Sequence, residues 1–247
     1  MDPKGAASPR TAVVWAVLGA ELDRAADAGR HSLNVLDVGG GTGGVAVPLA
    51  AAGHQVTVVD ASPDALAALM RRAAEAGVAD QVRAVQGDAD ALAGLIAPDS
   101  ADLVLCHSLL EVVDDPSSAI KSLAMAVRPG GAASVLVANR VAAVLGRALA
   151  GHFDGAARLL SDADGAGGRD TPRRVFDCDE ISALLTGGGL TVEQIHGVRV
   201  VADLLTGAVL EGHADDLLAF ELATAARPPY RDIATQLHLF ARRPTGR

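Results

Sequence analysis

A glycine-rich loop preceded by a carboxylate is the part of this 247-residue sequence best suited to chemistry. Asp37 lies two residues before the first of three alternating glycines, Gly39, Gly41 and Gly43, which gives the pattern D-x-G-x-G-x-G. A buried strand that enters such a turn and continues into a helix lets the backbone approach a cofactor closely. Because positions 39, 41 and 44 also satisfy G-x-G-x-x-G, the loop alone is equally compatible with a dinucleotide.

Two further carboxylates follow the next two predicted strands. Asp60 ends the second strand beside Ala61, and it can accept hydrogen bonds from both hydroxyls of a ribose. Asp88 follows the third strand and can accept from an adenine amino group, while Ala89 offers its backbone amide. Open α/β sheets bind ligands at the carboxyl ends of their strands, so these groups are expected at one edge. Each carboxylate also has a plainer interpretation as a helix cap or a solvated turn residue.

Asp37 separates the two cofactor classes. A carboxylate at this position can fix the loop and accept from the ammonium group of a methionine moiety, whereas it would repel the pyrophosphate of a dinucleotide. The sequence therefore predicts S-adenosyl-L-methionine as cofactor, with S-adenosyl-L-homocysteine as product. An NAD-dependent dehydrogenase is the alternative from the glycine pattern.

Strands and helices alternate along the first 139 residues. This rhythm is typical of βαβ units and predicts a Rossmann-like α/β fold, with a mainly parallel sheet and helices on both faces. The predicted strands are 33–38, 55–59, 82–86, 103–106 and 133–138, the last entered through a Pro129-Gly130-Gly131 turn. After Asn139 the rhythm breaks, and closing strands are predicted at 190–201 and 236–242.

The whole chain, 1–247, is expected to form one domain. Within it we expect an N-terminal helix in 1–30, a cofactor-binding core in 31–139, a lid or insertion in 140–176, and closing helices and strands in 177–247. The 140–176 segment contains one helical stretch and then a Gly/Asp-rich run, which does not fit another βαβ unit.

Composition limits the partners. A formal net charge of -9 excludes a polycation that coats nucleic acid, and we expect no DNA partner. No stretch approaches the ~20 apolar residues that span a bilayer, and the first ten residues lack the apolar core of a signal peptide. Cys106 and Cys178 show no metal-type spacing, so we expect no metal, no disulfide framework and a cytoplasmic protein. The sequence does not indicate an oligomeric state.

The segments LDVGGGTG, VTVVDAS, QGDAD, ADLVLCHSLLEVVDDP and RPGG together resemble the class I S-adenosylmethionine-dependent methyltransferases. This resemblance implies a seven-stranded sheet whose last strand is antiparallel. A narrower similarity, through AGHQVTVVD, AGHFD, GVRV, PPY and ARRP, is to the bacterial tRNA 5-carboxymethoxyuridine methyltransferases. That family implies a tRNA partner, contact of Arg10 with the cofactor carboxylate, and a cofactor pocket lined by His107 and Leu110.

The acceptor decides which catalytic groups are needed. A carboxylate acceptor is already ionised at pH 7, so the protein has only to orient it for in-line attack. Arg199 is the first candidate to hold one carboxylate oxygen, Arg140 the second, with Asn139 as a hydrogen-bonding partner. A phenol, amine or enol would instead require a base, for which His107 and Glu111 are the nearest by position.

A small-molecule acceptor is the alternative to tRNA. RNA recognition commonly stacks bases on aromatic rings, and this chain has only four Phe, one Trp and one Tyr. On the acceptor side, Ala138, Ala202 and Leu204 stand where the tRNA-modifying family has aromatic or polar residues, and Thr235-Gln236 replaces its arginine-tyrosine pair. A metabolite or natural-product methyltransferase with the same core is therefore the competing hypothesis.

Overall fold

A seven-stranded sheet forms the centre of the molecule. The computed structural model describes residues 8–161, 174–205 and 212–246. The strands lie in the order β3-β2-β1-β4-β5-β7-β6. They are β1 (Asn34–Val38), β2 (Gln55–Asp60), β3 (Val82–Gln86), β4 (Ala101–His107), β5 (Val127–Ala138), β6 (Thr191–Val198) and β7 (Gln236–Arg242).

Helices cover both faces of the sheet, and a buried apolar cluster lies on each side of it. The described helices are α1 (Ala12–Asp27), α2 (Ala46–Ala51), α3 (Pro63–Glu75), α4 (Leu92–Leu95), α5 (Pro116–Ala126), α6 (Arg140–Leu149), α7 (Phe153–Ser161), α8 (Cys178–Gly187), α9 (Ala214–Thr224) and α10 (Tyr230–Ile233). Residues of α5 and α8 contribute to one cluster, and residues of α1, α2 and α3 contribute to the other. None of these helices is long and apolar enough to cross a membrane.

The strand directions confirm the predicted Rossmann-like fold. Strands β1 to β5 pair in parallel, and β7 runs antiparallel to both β5 and β6. Two successive antiparallel pairings make β6 parallel to β5. The carboxyl ends of six strands and the amino end of β7 therefore share one edge of the sheet, and this is the edge where such folds bind ligands.

The sequence predicts a Pro129-Gly130-Gly131 turn before a strand at 133–138. This strand boundary is wrong, because β5 already begins at Val127. The pairing of β4 with β5 shifts its register between Ala101 and Leu103, so the segment forms an irregularity inside the strand. Gly130 has φ +73°, and a Cβ on Gly131 would lie 2.9 Å from the Asp102 carbonyl oxygen. The glycines thus permit a close backbone approach within a strand, and the sequence signal for this resembles that of a turn.

The segment expected to form a lid begins with two helices. Helix α6 starts directly after Asn139, and α7 ends at Ser161. The Gly/Asp-rich run that follows falls outside the described residues. The division of the chain into a core, a lid and closing elements stays a prediction.

Candidate active site

The glycine-rich loop leaves β1 and crosses the end of β2. Gly39, Gly41 and Gly43 have φ values of +74°, +54° and +80°, a region that glycine adopts without steric cost. The amide of Gly39 donates to the Val59 carbonyl over 2.7 Å, which ties the loop to β2. A Cβ placed on Gly41 would meet no atom nearer than Asp60 Oδ2 at 4.0 Å, so the loop has an open face there.

Asp37 lies beneath this loop and is only 3 % exposed. Burial and, to a smaller extent, the negative charge of Asp60 together raise its pKa to about 7. Gly40 packs directly over it, because a Cβ on Gly40 would come 2.5 Å from Asp37 Oδ2. No cation or donor among the described residues counters the rise in its pKa. A cationic ligand group is what would hold this carboxylate ionised, and the ammonium group of the predicted cofactor fits that requirement.

Asp60 joins the loop to the start of α3. Its Oδ2 accepts from the Gly41 amide and its Oδ1 from the Ser62 amide, each over 2.9 Å. Ser62 in turn caps α3 by accepting from the Ala65 amide. Each oxygen of a carboxylate can accept a second hydrogen bond. Asp60 can therefore hold the loop and bind ribose hydroxyls together.

A cavity of about 470 Å³ opens at this edge of the sheet. Its wall combines backbone of the glycine loop, two of the predicted carboxylates and an apolar segment that follows β4. The lining residues are Val38, Gly39, Val59, Asp60, Ala61, Gly87, Asp88, Ala89, Ser108, Leu109, Val112, Val113 and Asp114. The structure thus brings together Asp60, Ala61, Asp88 and Ala89 from two separate strand ends.

A second cavity, of about 680 Å³, is larger but lies between α1 and α9. Its wall is mostly apolar and includes Trp15, His54 and Leu218. It contains none of the residues predicted to bind cofactor or acceptor. The smaller cavity is the candidate active site, because polar groups able to orient a nucleoside converge there.

His107 and Leu110 occupy positions behind the wall of the smaller cavity. The Nε2 atom of His107 lies 2.9 Å from Ser134 Oγ, and the same oxygen lies 2.7 Å from His238 Nε2. Burial lowers the pKa of His107 to about 4, so its ring is neutral at pH 7. Leu110 is fully buried in the core, and Ser108 and Leu109 form the wall at this strand end.

The three arginines with predicted roles make different contacts. Arg10 is exposed and its Nη2 lies 3.4 Å from Asp203 Oδ1, while Arg199 Nη1 lies 3.1 Å from Asp203 Oδ2. Arg140 is mostly buried and pairs with both Asp177 and Glu180. Arg10 and Arg199 therefore share one counter-ion, whereas Arg140 has two carboxylates of its own.

Asn139 is buried and engaged at both ends of its amide. Its Oδ1 accepts from the Val141 amide and so caps α6. Its Nδ2 donates to the carbonyls of Asp232 and Ala234 over 2.9 and 2.7 Å. These contacts hold α6 against the segment before β7. They give Asn139 a structural task, and its expected contact with an acceptor stays a prediction.

Sequence reasoning overlooked two features of this edge. Ser108 lines the cavity with φ +55°, and its Oγ accepts from Gln236 Nε2 over 3.1 Å. Glu221 is fully buried in α9 and accepts from three backbone amides after β6. The signal for Glu221 was present in the sequence, since it is a carboxylate inside the apolar run LLAFELA. Apolar surroundings suggest burial, and a buried carboxylate requires partners.

Comparison with known proteins identifies relatives for this arrangement. A family model described as a methyltransferase domain matches residues 35–131, which include most of β1, the glycine loop and strands β2 to β4. The tRNA 5-carboxymethoxyuridine methyltransferase of Escherichia coli is 31 % identical over 242 residues, covering 96 % of this chain and 89 % of that protein. The ubiquinone biosynthesis O-methyltransferase of Xanthomonas euvesicatoria is 33 % identical over 164 residues, covering 66 % of this chain and 65 % of that protein.

Solved structures show the same fold. An S-adenosylmethionine-dependent methyltransferase from Mesorhizobium loti superimposes with a TM-score of 0.63 at 20 % identity. The similarity covers 94 % of this chain and 98 % of that one. At this identity the superposition speaks for the fold alone.

Proposed function

The chain belongs to the S-adenosylmethionine-dependent methyltransferases, and on that premise we propose that it methylates a carboxylate of a modified uridine in tRNA. The observation that carries the proposal is the length of the similarity to the tRNA 5-carboxymethoxyuridine methyltransferase. That similarity covers 96 % of the chain, so it includes the acceptor side after β5 as well as the cofactor core. The similarity to the ubiquinone biosynthesis enzyme covers only 66 %.

In this proposal, each of the predicted cofactor-binding residues contacts a different part of S-adenosylmethionine. Asp37 accepts from the ammonium group and Arg10 binds the carboxylate of the methionine moiety. Asp60 accepts from the ribose hydroxyls, and Asp88 with the Ala89 amide binds the adenine edge. The bound cofactor supplies an electrophilic methyl group on a sulfonium. The protein then has to hold the acceptor oxygen about 3–3.5 Å from that methyl carbon and in line with the sulfur.

Arg199 is our candidate for holding the acceptor. Its side chain is 24 % exposed, and its Nη1 lies 3.1 Å from Asp203 Oδ2. Its Nη2 can donate to one oxygen of a carboxylate. The other oxygen is then free to attack. Because a carboxylate is ionised at neutral pH, the reaction needs no general base, and the neutral His107 buried beside Ser134 is compatible with that requirement.

The proposal is tested with tRNA that carries unmethylated 5-carboxymethoxyuridine and with cofactor labelled in its methyl group. We expect label in the tRNA at low salt and a steep loss of activity as salt increases, because phosphate contacts release counter-ions. Arg199→Ala should lower kcat/KM by about tenfold or more, the usual effect of losing a charged hydrogen bond. Arg71→Ala, on the exposed surface of α3, is the matched control. Absence of label at low salt would refute the tRNA acceptor.

A small-molecule acceptor is the second candidate. The net charge of -9 and the six aromatic residues favour it, since both disfavour contact with a polyanion through stacked bases. The similarity to the ubiquinone biosynthesis O-methyltransferase adds support. This alternative predicts cofactor binding without tRNA labelling, and activity that changes little with salt.

A further inference from the structure

The backbone segment after β6, residues 199–203, is held by a buried carboxylate from a distant helix. We call this segment the arginine loop. Glu221 Oε2 accepts from the Val200 amide over 2.8 Å, and its Oε1 accepts from the Val201 and Ala202 amides over 3.0 and 2.9 Å. Glu221 is 0 % exposed. Hydrogen bonds to an ionised carboxylate are among the strongest in proteins, so three of them offset the loss of hydration and fix the loop tightly.

The arginine loop begins with a conformation that needs such support. Arg199 has φ +61°, a region that is unfavourable for side chains other than glycine. The amide and the hydroxyl of Thr235 both donate to the Arg199 carbonyl over 3.2 Å. Thr235 on one side and Glu221 on the other therefore hold the loop in a geometry that Arg199 would not adopt by itself.

The side chains of the arginine loop are oriented by the same turn. Asp203 lies four residues after Arg199 and pairs with its Nη1, and its second oxygen faces Arg10 in the turn before α1. Ala202 between them is fully buried, so the loop has little room to shift. The result is two arginines that share one carboxylate at the ligand-binding edge of the sheet.

We propose that Glu221 is a positioning residue for the acceptor, because it fixes the arginine loop and thereby holds Arg199 where an acceptor anion can bind it. This inference rests on the proposed function, in which Arg199 contacts the acceptor. Glu221 does not reach the ligand itself. Its effect passes through the backbone of residues 200–202 to the side chain of Arg199.

The test is a double-mutant cycle with Glu221→Gln and Arg199→Ala. Glutamine keeps the shape of the side chain, but its amide nitrogen must face at least one backbone N–H, so part of the arginine loop is released. With the carboxymethoxyuridine tRNA as acceptor, Glu221→Gln should raise KM for tRNA by about tenfold, which equals about 1.4 kcal/mol at 25 °C. The dissociation constant for S-adenosylhomocysteine should stay within about twofold of the wild-type value. A change of that size is no larger than the usual error when the effects of independent mutations are added.

The cycle separates positioning from general destabilisation. If Glu221 acts through Arg199, Glu221→Gln should add little to the defect of Arg199→Ala, because contacts in one network are not additive. Glu21→Gln is the matched control, since Glu21 is also buried and pairs with Arg24 and Arg242 at the opposite edge of the sheet. It should lower the stability without raising KM for tRNA. Fully additive defects, or an equal rise in KM for Glu21→Gln, would overturn the positioning role.

An error in the proposed function would give a different experimental result from an error in the positioning role of Glu221. If the wild-type protein does not label tRNA, the tRNA acceptor is refuted, and hydrogen exchange then decides the role of Glu221. Faster exchange in Glu221→Gln confined to the amides of Val200, Val201 and Ala202 supports positioning of the arginine loop. Exchange that is unchanged there, or faster throughout the protein, overturns it.

Discussion

Binding of S-adenosylhomocysteine should depend on pH through Asp37. In the free protein burial and Asp60 raise the pKa of Asp37 to about 7, so at pH 6 most molecules carry a protonated Asp37. The ammonium group of the ligand favours the ionised form and lowers this pKa on binding. The ligand must then displace a proton at low pH. The affinity should therefore rise as the pH increases toward 7 and level off above it.

The size of the effect follows from the pKa of the free protein. With a pKa of about 7, Asp37 is ionised in roughly one molecule in eleven at pH 6 and in roughly ten of eleven at pH 8. The dissociation constant should therefore be about tenfold higher at pH 6 than at pH 8, or about 1.4 kcal/mol. His107, with a pKa of about 4, does not titrate in this interval.

Calorimetric titration at pH 6, 7 and 8 measures this dependence, and repeating it in buffers of different ionisation enthalpy counts the protons released. Asp37→Asn should abolish the pH dependence and weaken binding at pH 8 by about 1–3 kcal/mol, the cost of a lost charged hydrogen bond. Asp64→Asn, on the exposed first turn of α3, is a control that should leave both quantities unchanged. A dissociation constant of the wild type that is flat from pH 6 to 8, or a pH dependence that survives in Asp37→Asn, would refute this account of Asp37.

Three further predictions concern the framework of the site. Gly43→Ala should destabilise the protein by about 1–3 kcal/mol in urea unfolding, because φ is +80° and the new Cβ would overlap Leu69, whereas Gly44→Ala should be nearly neutral. Asn139→Ala should cost about 1–3 kcal/mol of the free energy of unfolding, since it removes the donor to two carbonyls and the cap of α6, and an unchanged midpoint would contradict this. His107→Gln should leave the pH profile of kcat for the tRNA acceptor unchanged between pH 6 and 8, and loss of an acid limb in that range would indicate a general base.

The sequence predicted the parts of the site that depend on strand ends. Asp60 and Asp88 follow apolar runs, and a parallel sheet must bring the ends of such runs to one edge. The Gly41 amide also donates to Asp60 across 19 residues of sequence, a contact that the sequence analysis did not predict. The period of apolar residues and the spacing of glycines are local signals. They predict the position of a residue reliably where the fold brings the ends of parallel strands to one edge of the sheet.

The sequence could not predict contacts that depend on how separate elements pack. The family resemblance implies a cofactor contact for His107, and nothing in the sequence indicated that its ring would bond Ser134 on β5, which in turn bonds His238 on β7. Asn139 resembled a ligand-binding amide, yet the segment before β7 takes both of its donor contacts. These partners lie 27 to 104 residues apart, and no local pattern encodes such a pairing.

Two buried carboxylates at this edge show why burial alone does not identify a ligand-binding group. Glu221 is fully buried but accepts from three backbone amides, so it has little capacity left for a ligand and acts on the structure. Asp37 is almost as buried, yet burial and Asp60 both raise its pKa and no described cation lowers it. The hydrogen bonds that each carboxylate already accepts therefore distinguish the two roles. The same argument favours Arg199, paired with one carboxylate, over Arg140, paired with two, as our candidate for binding the acceptor.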